Sequence, residues 1–350
     1  MNRRERFIKT VRRELESYIP FEFNLCPSLE QEFNTRTGAT DYRDYYDMPL
    51  RFISVDSRNK DISFDKYFKD IKGDIFINDW GVGSRKGDFE HFSEMVSPMK
   101  NFTDIKDFES YPYPDPVDDY KWDSFSIKVK QLKEKDCITA AGMATTIFEI
   151  AWYLRGMEEF MIDLVLNPDL ASYHLDRITD IRCKMAQMYA QSGVDILHVG
   201  DDVATQLDMM ISPKLWRQNI KPRLNKVINS ARRINPEIIV DYHSDGNIQT
   251  IIPELIEVGV DILNPIQPEC MDPIKIKKKY GDRLSFRGTI GTQSTMPFGT
   301  PEEVEMVCKK MIEEVGKSGG FILAPTHMLE PEVPWENIEA MIGAIKKYSR

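Results

Sequence analysis

The sequence predicts an α/β protein in which parallel strands alternate with helices and close into a barrel. Three observations favour this class. Short apolar runs alternate with helical segments from residue 136 to the C-terminus, which is typical of a parallel sheet with right-handed crossovers. The apolar runs end in residues that can bind metal or carry protons, and a barrel collects such strand ends at one mouth. A length of 350 residues is also compatible with one barrel.

The N-terminal part, residues 1–135, carries the weaker signals. Charged residues with apolar positions at helical spacing predict a helix over 2–16, and an alternating segment predicts a first strand over 18–24. The rest of this part is polar, rich in aromatic residues and interrupted by Pro and Gly. It contains two candidate short strands, 51–55 and 74–77. We therefore predict a helical and irregular extension with insertions.

Regular βα units are predicted over residues 136–350. The predicted strands are 137–142, 195–199, 238–242, 260–264, 284–286 and 320–324. The predicted helices are 146–165, 168–192, 213–233, 248–258, 301–316 and a last one that begins at residue 334. There is no internal repeat and no low-complexity segment, so the chain is predicted to form one domain over residues 1–350.

Composition and charge exclude several classes of protein. A formal net charge of -10 and the absence of a basic stripe argue against a nucleic-acid partner. No apolar run reaches the roughly 18 residues that a membrane helix needs, and the basic N-terminus is not followed by the apolar stretch of a signal peptide. The five cysteines are scattered without a CxxC pair, which favours a reducing cytoplasm over a disulfide framework.

Candidate metal ligands follow three of the predicted strands. His243 and Asp245 follow the strand at 238–242, Glu269 follows the next strand, and His327 follows the last. Two imidazoles and one or two carboxylates at one mouth suit a zinc ion with an open position for substrate or water. The structural alternatives are a hydrogen-bonded histidine for each imidazole, a simple turn at Asp245, and a helix cap or solvent-facing side chain for Glu269.

Three carboxylates are candidate catalytic groups. Asp201 and Asp202 are adjacent after the strand at 195–199, and Glu149 lies among apolar residues. Adjacent carboxylates at a strand end can bind substrate or carry a proton with a tuned pKa, or they can be a loop turn and a helix cap. A buried carboxylate such as Glu149 must be paired, protonated or bound to metal.

Other polar side chains are candidates for substrate binding or for structure. Arg287 after the strand at 284–286 can clamp an anionic substrate, or it can form a salt bridge. Gln206 follows the acidic pair by four residues and shares its face if this segment is helical. His198 lies inside its strand and is predicted to be a core residue. His91 and His174 are predicted to be exposed and structural.

Several phrases in the C-terminal two thirds carry a resemblance to a known family. They are Leu154-Arg155-Gly156-Met157-Glu158, Gly193-Val194-Asp195-Ile196, Ile211-Ser212-Pro213, Gly259-Val260-Asp261, Gly299-Thr300-Pro301-Glu302-Glu303-Val304 and Pro334-Trp335-Glu336-Asn337-Ile338. In this order they resemble the uroporphyrinogen decarboxylase superfamily, broadly from about residue 140 onward. The resemblance implies a (β/α)8 TIM barrel with an N-terminal helical and irregular extension.

The branches of that superfamily differ in their site residues. True decarboxylases carry a Met-Arg-Gln-Ala-Gly-Arg motif near the N-terminus and need no metal, whereas this chain reads Ile19-Pro20-Phe21-Glu22-Phe23-Asn24-Leu25-Cys26 there. Cobamide-dependent methyltransferases that make methyl-thiols typically present His-x-Cys after one strand and another Cys after the last. Here the first pair is His243-Ser244-Asp245 and the final position is His327. Nitrogen and oxygen donors thus replace both thiolates, which disfavours thiol methylation.

The chain also resembles the O-demethylase methyltransferases of acetogenic and related anaerobes. The residues that carry this resemblance are His243-Ser244-Asp245-Gly246-Asn247, Asn264-Pro265-Ile266-Gln267-Pro268-Glu269, Gly200-Asp201-Asp202 with Gln206, and Asp79-Trp80-Gly81-Val82. It implies transfer of a methyl group from an aryl methyl ether to the Co(I) of a corrinoid (cobalamin) that a partner protein presents. The implied partners are this corrinoid protein and a small methoxylated substrate, and relatives of the fold often form homodimers.

The resemblance also implies roles for individual residues. Zn²⁺ at His243, Glu269 and His327, with Asp245 as a further ligand, would bind the ether oxygen. Asn264, Gln267, Gln206 and Arg287 would bind substrate, and Trp80 would stack on the aryl ring or be ordinary core. Three other functions stay open: methyl transfer from a corrinoid to a thiol or folate acceptor, metal-free decarboxylation, and a barrel that binds without chemistry.

Overall fold

A central parallel sheet organises the computed structural model, which describes residues 1–58, 62–69, 74–86 and 93–349. The sheet has seven strands in the order β1-β5-β6-β7-β8-β9-β10, and β2, β3 and β4 form a separate antiparallel sheet. The strands are β1 Leu50–Phe52, β2 Ile75–Ile77, β3 Gly83–Lys86, β4 Ser93–Val96, β5 Ile138–Met143, β6 Ile196–Gly200, β7 Ile239–His243, β8 Ile262–Asn264, β9 Ser285–Arg287 and β10 Phe321–Ile322.

Helices connect the strands of the parallel sheet and cover its outer face. They are α1 Arg3–Val11, α2 Pro27–Thr37, α3 Tyr42–Tyr45, α4 Ile105–Glu109, α5 Trp122–Glu134, α6 Phe148–Arg155, α7 Met157–Leu166, α8 Pro168–Gln191, α9 Pro213–Asn219, α10 Lys221–Arg232, α11 Ile252–Glu257, α12 Pro273–Tyr280, α13 Thr295–Phe298, α14 Pro301–Glu314 and α15 Trp335–Tyr348. Two 3-10 segments, Asp65–Tyr67 and Gln249–Ile251, complete the described elements.

The predicted first strand supplies the eighth position of the barrel, although it is not a continuous strand. Phe21 forms an isolated parallel bridge with Leu323 beyond β10, and Leu25 forms another with Leu329. The chain therefore folds as a (β/α)8 TIM barrel with an N-terminal extension, as predicted. The predicted strand at 51–55 is β1 of the barrel, whereas the strand at 74–77 belongs to the small antiparallel sheet.

The barrel interior is built in layers, because side chains two residues apart on a strand share a face. The lower layer is apolar and is closed from the N-terminal end by Phe7 and Val11 of α1. It contains Leu50, Ile138, Ala140, Ile196, Ile239, Ile262 and Ile322. Two residues further along four of these strands lie Phe52, His198, Asp241 and Asn264, and Arg287 takes the corresponding place on β9, two residues after Ser285. The interior thus changes from apolar to polar toward the carboxyl ends of the strands.

Several predicted helices are shorter or broken. The helix predicted over 146–165 divides into α6 and α7 at Gly156, whose φ of 95° is left-handed. The helix predicted over 213–233 divides into α9 and α10, where Pro222 starts a new first turn. Helix α1 ends at Val11, and Arg13 adopts a φ of 61°. Among the described residues, no helix is both long and apolar enough to cross a membrane.

His174 contradicts the prediction that it is exposed. It is 1% exposed, its Nε2 lies 3.0 Å from the Ala151 carbonyl oxygen, and its Nδ1 lies 3.3 Å from the Tyr113 hydroxyl. These contacts assign Nε2–H as the donor to the carbonyl and Nδ1 as the acceptor from Tyr113. The prediction failed because α4 and the segment after it cover this face of α8, which the helix sequence alone does not reveal. His91 lies outside the described residues.

Candidate metal centre at the barrel mouth

Three potential ligands converge where β6 and β7 end. Asp202, His243 and Asp245 each offer one ligand atom, and the three atoms all lie within 4.8 Å of one another. The Asp202 Oδ1 and His243 Nε2 atoms are 3.9 Å apart. Strands β6 and β7 are parallel neighbours in which Gly200 pairs with His243, so the loops that follow them meet at the mouth. We call these three residues the mouth cluster.

Hydrogen bonds from neighbouring strands orient the mouth cluster. The His243 Nδ1 atom lies 2.8 Å from Asn264 Oδ1, and Asn264 Nδ2 donates to the Arg287 carbonyl oxygen at 3.1 Å. The amide donates through its nitrogen, so its oxygen accepts from His243 Nδ1–H. The Nε2 lone pair is thereby left for a metal, and this is how metal-binding histidines are commonly oriented. The Asp245 backbone N–H donates to Asp202 Oδ1 at 2.7 Å.

The loop after β7 is held by a second amide. Gln267 Oε1 accepts the Gly246 N–H at 2.6 Å. Gly246 has a φ of 84° and lies against the backbone oxygens of Ala204 and Thr205, where a Cβ would not fit. This glycine therefore allows the loop after β7 to pack tightly on the loop after β6, which brings Asp245 to Asp202.

Two carboxylate oxygens near the mouth have no partner among the described residues. Asp245 Oδ1 and Glu269 Oε2 are both buried without a hydrogen-bond donor. Burial raises the pKa of Asp245, whereas the nearby His243 and His327 favour its charged form. An unpartnered buried carboxylate is costly unless a cation compensates it. The donor set of one imidazole and two carboxylates, with a buried free oxygen, fits a divalent cation such as zinc.

The mouth cluster differs from the predicted ligand set. His243 and Asp245 belong to both sets. Asp202 is in the mouth cluster, whereas the predicted ligands Glu269 and His327 are not. Glu269 Oε1 accepts from the Ser294 hydroxyl at 3.0 Å, so this carboxylate is held toward the loop after β9. His327 lines the adjoining cavity and is close enough to affect the Asp245 charge. Both residues border the cluster without joining it.

Asp201 caps a helix and does not face the cavity. It is 1% exposed, and its Oδ1 accepts the backbone N–H groups of Ile147 and Glu149 at 2.9 Å each. Burial, followed by the Glu149 carboxylate, raises the pKa of Asp201 to about 8. The predicted catalytic role is therefore corrected to N-terminal capping of α6, because the two adjacent aspartates point in different directions.

Glu149 lies beside the mouth cluster. Its Oε2 accepts the Asp202 backbone N–H at 2.9 Å, and its Oε1 accepts the Tyr153 hydroxyl at 2.8 Å. Burial is the largest influence on Glu149 and raises the pKa of its carboxyl. Glu149, predicted as a catalytic acid, thus lies next to the candidate metal centre, and the Tyr153 hydroxyl is hydrogen-bonded to its second carboxylate oxygen.

A cavity of about 350 Å³ adjoins the mouth cluster. The described residues that line it are Glu22, Phe23, Asn24, Phe52, His198, His243, Asn264, Arg287, Pro325, Thr326, His327 and Met328. Arg287 forms ion pairs with Glu22 at 2.7 Å and with Asp241 at 2.6 Å. These ion pairs are the salt-bridge alternative that the sequence left open for Arg287. Because two of its guanidinium nitrogens already bind carboxylates, the predicted role as a substrate clamp is corrected. His198, predicted to be core, lines the cavity.

The remaining predicted substrate residues serve other contacts. Trp80 is not among the lining residues and packs against Arg182, whose guanidinium carbon lies 4.5 Å from the ring centroid. Gln206 is exposed and donates to Gln293 at 2.8 Å across the mouth. Asn264 and Gln267 position the mouth cluster, as described above. Of the four, only Asn264 lines the cavity.

The sequence interpretation gave Asp202 a different role and missed Tyr153 and Cys270. Asp202 had been grouped with catalytic acids, yet its spacing from a strand end was also a signal for a ligand. Tyr153 follows Glu149 by four residues on α6, and the pair shares a helix face. Cys270 lies near the mouth, where it donates to Gln267 Oε1 at 3.5 Å. Burial and the carboxylates of Glu269 and Asp245 raise the pKa of its thiol, so it is held protonated.

Comparison with known proteins identifies the family. The model of the family "Uroporphyrinogen decarboxylase (URO-D)" matches residues 2–348. The chain therefore belongs to the uroporphyrinogen decarboxylase family, which confirms the resemblance seen in the sequence.

Similar proteins within this family include methyltransferases. The chain is 27% identical over 224 residues to the methylcobamide:CoM methyltransferase MtaA of Methanosarcina barkeri. This match covers 63% of the chain and 62% of that relative, so it spans less than two thirds of either. A methylated-thiol–coenzyme M methyltransferase of Methanosarcina mazei is 24% identical over 59% of the chain and 52% of its own length. A uroporphyrinogen decarboxylase of Pelobacter propionicus is 21% identical over 70% of the chain and 71% of its own length.

A solved structure supports the fold. The methyltransferase from Methanosarcina mazei superposes with a TM-score of 0.73 at 18% sequence identity, and the match covers 100% of both chains. At this identity the likeness establishes the barrel architecture.

Proposed function

We propose that this protein is a metal-dependent methyltransferase that moves a methyl group from a methoxy substrate, an aryl methyl ether, to the Co(I) of a corrinoid protein. The observation that carries the proposal is the mouth cluster, which contains nitrogen and oxygen donors and no sulfur among the described residues. Imidazole and carboxylate ligands make a harder site than thiolates do. Such a site suits an ether oxygen better than a thiol.

The proposed chemistry divides between the cation and the surrounding side chains. A divalent cation held by Asp202, His243 and Asp245 would supply a Lewis acid that stabilises charge on the departing phenolate. Asn264 fixes the His243 ring so that Nε2 faces the site. Glu149, with Tyr153 behind it, stands next to Asp202 and can hold the proton that the leaving oxygen takes up.

The cavity has the size and lining for a small aromatic substrate. Its volume of about 350 Å³ lies at the lower end of ligand pockets, which are commonly about 300–1,000 Å³. Phe23, Phe52 and Met328 provide apolar surface, and His243 and His327 provide polar groups at one side. His327 and Glu269 stay predicted as additional ligands that would complete the coordination of zinc.

Exposed apolar residues support a protein partner at the same end of the barrel. Leu207 is 86% exposed on the loop after β6, and Phe298 is 77% exposed at the end of α13, after β9. Protein-binding surfaces are commonly built on exposed apolar groups, and these two residues present such groups at the mouth end of the barrel. We assign this rim to docking of the corrinoid protein, whose cofactor must reach the methyl group.

Two other functions remain as alternatives. Transfer from a methyl-corrinoid to a thiol is favoured by the names of the two methyltransferase relatives, which act on coenzyme M, and a folate acceptor is a variant of the same half-reaction. Metal-free decarboxylation is favoured by relatives such as that of Pelobacter propionicus.

The test combines metal binding with methyl transfer. Purified protein is titrated with Zn²⁺ and assayed with Co(I) cobalamin and a panel of methoxybenzenes. We expect one zinc per chain and zinc-dependent formation of methylcobalamin. His243→Ala and Asp245→Asn should weaken zinc binding by at least the roughly 10–100-fold that outer-shell changes cost. Asp180→Asn, an exposed change on α8, is the matched control and should change neither property.

Each alternative predicts a different result in the same experiment. Transfer from methylcobalamin to a thiol, without reaction of any methoxybenzene, would favour the thiol methyltransferase. A protein that binds no zinc and decarboxylates a carboxylated substrate would contradict the proposal altogether.

A further inference from the structure

A chain of three polar side chains crosses the barrel directly below the mouth cluster. His198 Nδ1 lies 2.9 Å from Asp241 Oδ2, and Arg287 Nη2 donates to the same oxygen at 2.6 Å. The side chains of Asp241 and Arg287 are 2% and 7% exposed, whereas that of His198 is 14% exposed and lines the cavity. We call this group the His198–Asp241–Arg287 chain.

The contacts of this chain assign the tautomer of His198. Asp241 is an ion-pair partner of Arg287, so its carboxylate is an acceptor, and the ring nitrogen facing it must carry the hydrogen. Nδ1–H therefore donates to Asp241, and Nε2 keeps a free lone pair. Within the described residues, no group donates a hydrogen bond to Nε2. The ring nitrogen on the cavity side is left for a ligand that carries an O–H or N–H group.

The position of His198 relates this acceptor to the mouth cluster. The ring centroids of His198 and His243 are 5.9 Å apart, which is comparable to the span of one substituted aromatic ring. Phe52 contacts the His198 ring edge-on at 5.3 Å between centroids and holds it in place. A molecule that presents its ether oxygen to the mouth cluster can thus place a neighbouring substituent at His198.

We propose that His198 is a specificity-determining residue whose Nε2 accepts a hydrogen bond from a substrate hydroxyl next to the methoxy group. The inference rests on the proposed function and narrows it to aryl methyl ethers that carry a free ortho-hydroxyl. The charges at this side of the barrel agree. The carboxylates of Glu22, which lines the cavity, and of Asp241, which is buried behind His198, outnumber the single Arg287 cation that pairs with both, so a neutral hydroxyl is easier to accept there than a carboxylate.

A purely structural role does not account for these observations. Ile196, two residues earlier on β6, fills the same interior face with an apolar side chain. A histidine that only packed the core would need a partner for both nitrogens once buried. His198 instead has one nitrogen fixed by a buried ion pair and the other at the cavity.

Two probe compounds that differ by one methyl group test the proposal. 2-Methoxyphenol carries the hydroxyl, and 1,2-dimethoxybenzene carries a second ether in its place. We expect the zinc-loaded wild type to bind 2-methoxyphenol about 5–10-fold more tightly, as one added hydrogen bond predicts, and to show the same preference in kcat/KM with Co(I) cobalamin. His198→Phe should abolish the preference, whereas His198→Gln, which keeps a carbonyl acceptor, should retain part of it.

Binding and turnover are measured separately so that the two proposals can fail separately. If neither ether yields methylcobalamin, the proposed function fails, and the binding ratio still decides the role of His198. Equal binding of the two compounds by the wild type, or an unchanged ratio in His198→Phe with normal zinc content, would overturn the inference. Equal binding by the wild type overturns the inference even if a variant does not fold, and partial or complete loss of the preference in either folded variant supports it.

Discussion

The buried imidazole of His174 makes the stability of this protein depend on pH in a defined window. Burial lowers the pKa of His174 from 6.5 to about 4, and the Ala151 carbonyl that accepts its N–H only partly opposes this effect. The unfolded chain therefore binds a proton in a range where the native protein does not. The contribution of the neutral, buried His174 to the free energy of unfolding is complete above about pH 6.5 and is lost as the pH decreases toward about 4.

The size of the effect follows from this difference in pKa. A difference of about 2.5 pKa units corresponds to about 3 kcal/mol when the pH is below both values. At about pH 5.5 the expected loss is about 1.4 kcal/mol relative to neutral pH, and at about pH 4.5 it is about 2.5 kcal/mol. These losses are large beside the 5–15 kcal/mol by which domains are typically stable.

The assay is equilibrium unfolding in urea, followed by tryptophan fluorescence at about pH 7.5, 5.5 and 4.5. Other groups also titrate in this range, so the informative quantity is the difference between wild type and His174→Gln. Glutamine keeps a side-chain donor for Ala151 and cannot take up a proton. We expect the variant to be less stable at neutral pH and to lose about 1.4 kcal/mol less than the wild type on going to about pH 5.5.

The reasoning would be refuted by parallel pH profiles of wild type and variant. In that case His174 would titrate equally in the folded and unfolded states, and its burial against α4 and Tyr113 would be incorrect. A direct check is the NMR titration of the His174 ring, which should show no protonation of the native protein above about pH 5.

Three further predictions concern the site. Arg287→Met removes the cation from two buried carboxylates and should lower the free energy of urea unfolding by about 3–5 kcal/mol; an unchanged midpoint would contradict the ion pairs. Asn264→Ala frees the His243 ring and should weaken zinc binding by about 10–100-fold in competition with a chelator. It also leaves the buried Arg287 carbonyl without its donor and should lower the free energy of unfolding by about 1–3 kcal/mol, so zinc affinity is compared on folded protein. Leu207→Asp should reduce methyl transfer to a corrinoid on its carrier protein by about ten-fold. Transfer to free cobalamin should be unaffected, and an equal loss with both acceptors would argue against docking at the rim.

The alternation of strands and helices was readable from the sequence because it is a local property. Apolar runs of strand length and amphipathic segments recur from residue 136 onward, and nearly every predicted strand there is present within a residue or two. The N-terminal part was harder, because its first barrel strand makes only isolated bridges, and the strand at 74–77 pairs with Gly83–Lys86 outside the barrel. Pairing between distant segments is not encoded in the local pattern.

The residues of the candidate metal centre were likewise predictable from the sequence only in part. His243 and Asp245 follow one strand directly, so their presence at the mouth was predicted from position alone. Asp202 and Asp201 are adjacent, and the structure turns one toward the mouth cluster and the other toward the N-terminus of α6. The sequence contains no signal for this choice, because it depends on where the helix starts relative to the strand end.

The βα order, the barrel and the strand ends that carry histidines and carboxylates were predictable from the sequence, since they follow from hydrophobic periodicity and chain direction. Which of those groups come into contact depends on the folded barrel. Arg287 pairs with Glu22, which lies 265 residues earlier in the chain. His198 faces the cavity because of the register of β6 beside β7. Register and closure set these contacts, and both depend on the packing of the whole barrel.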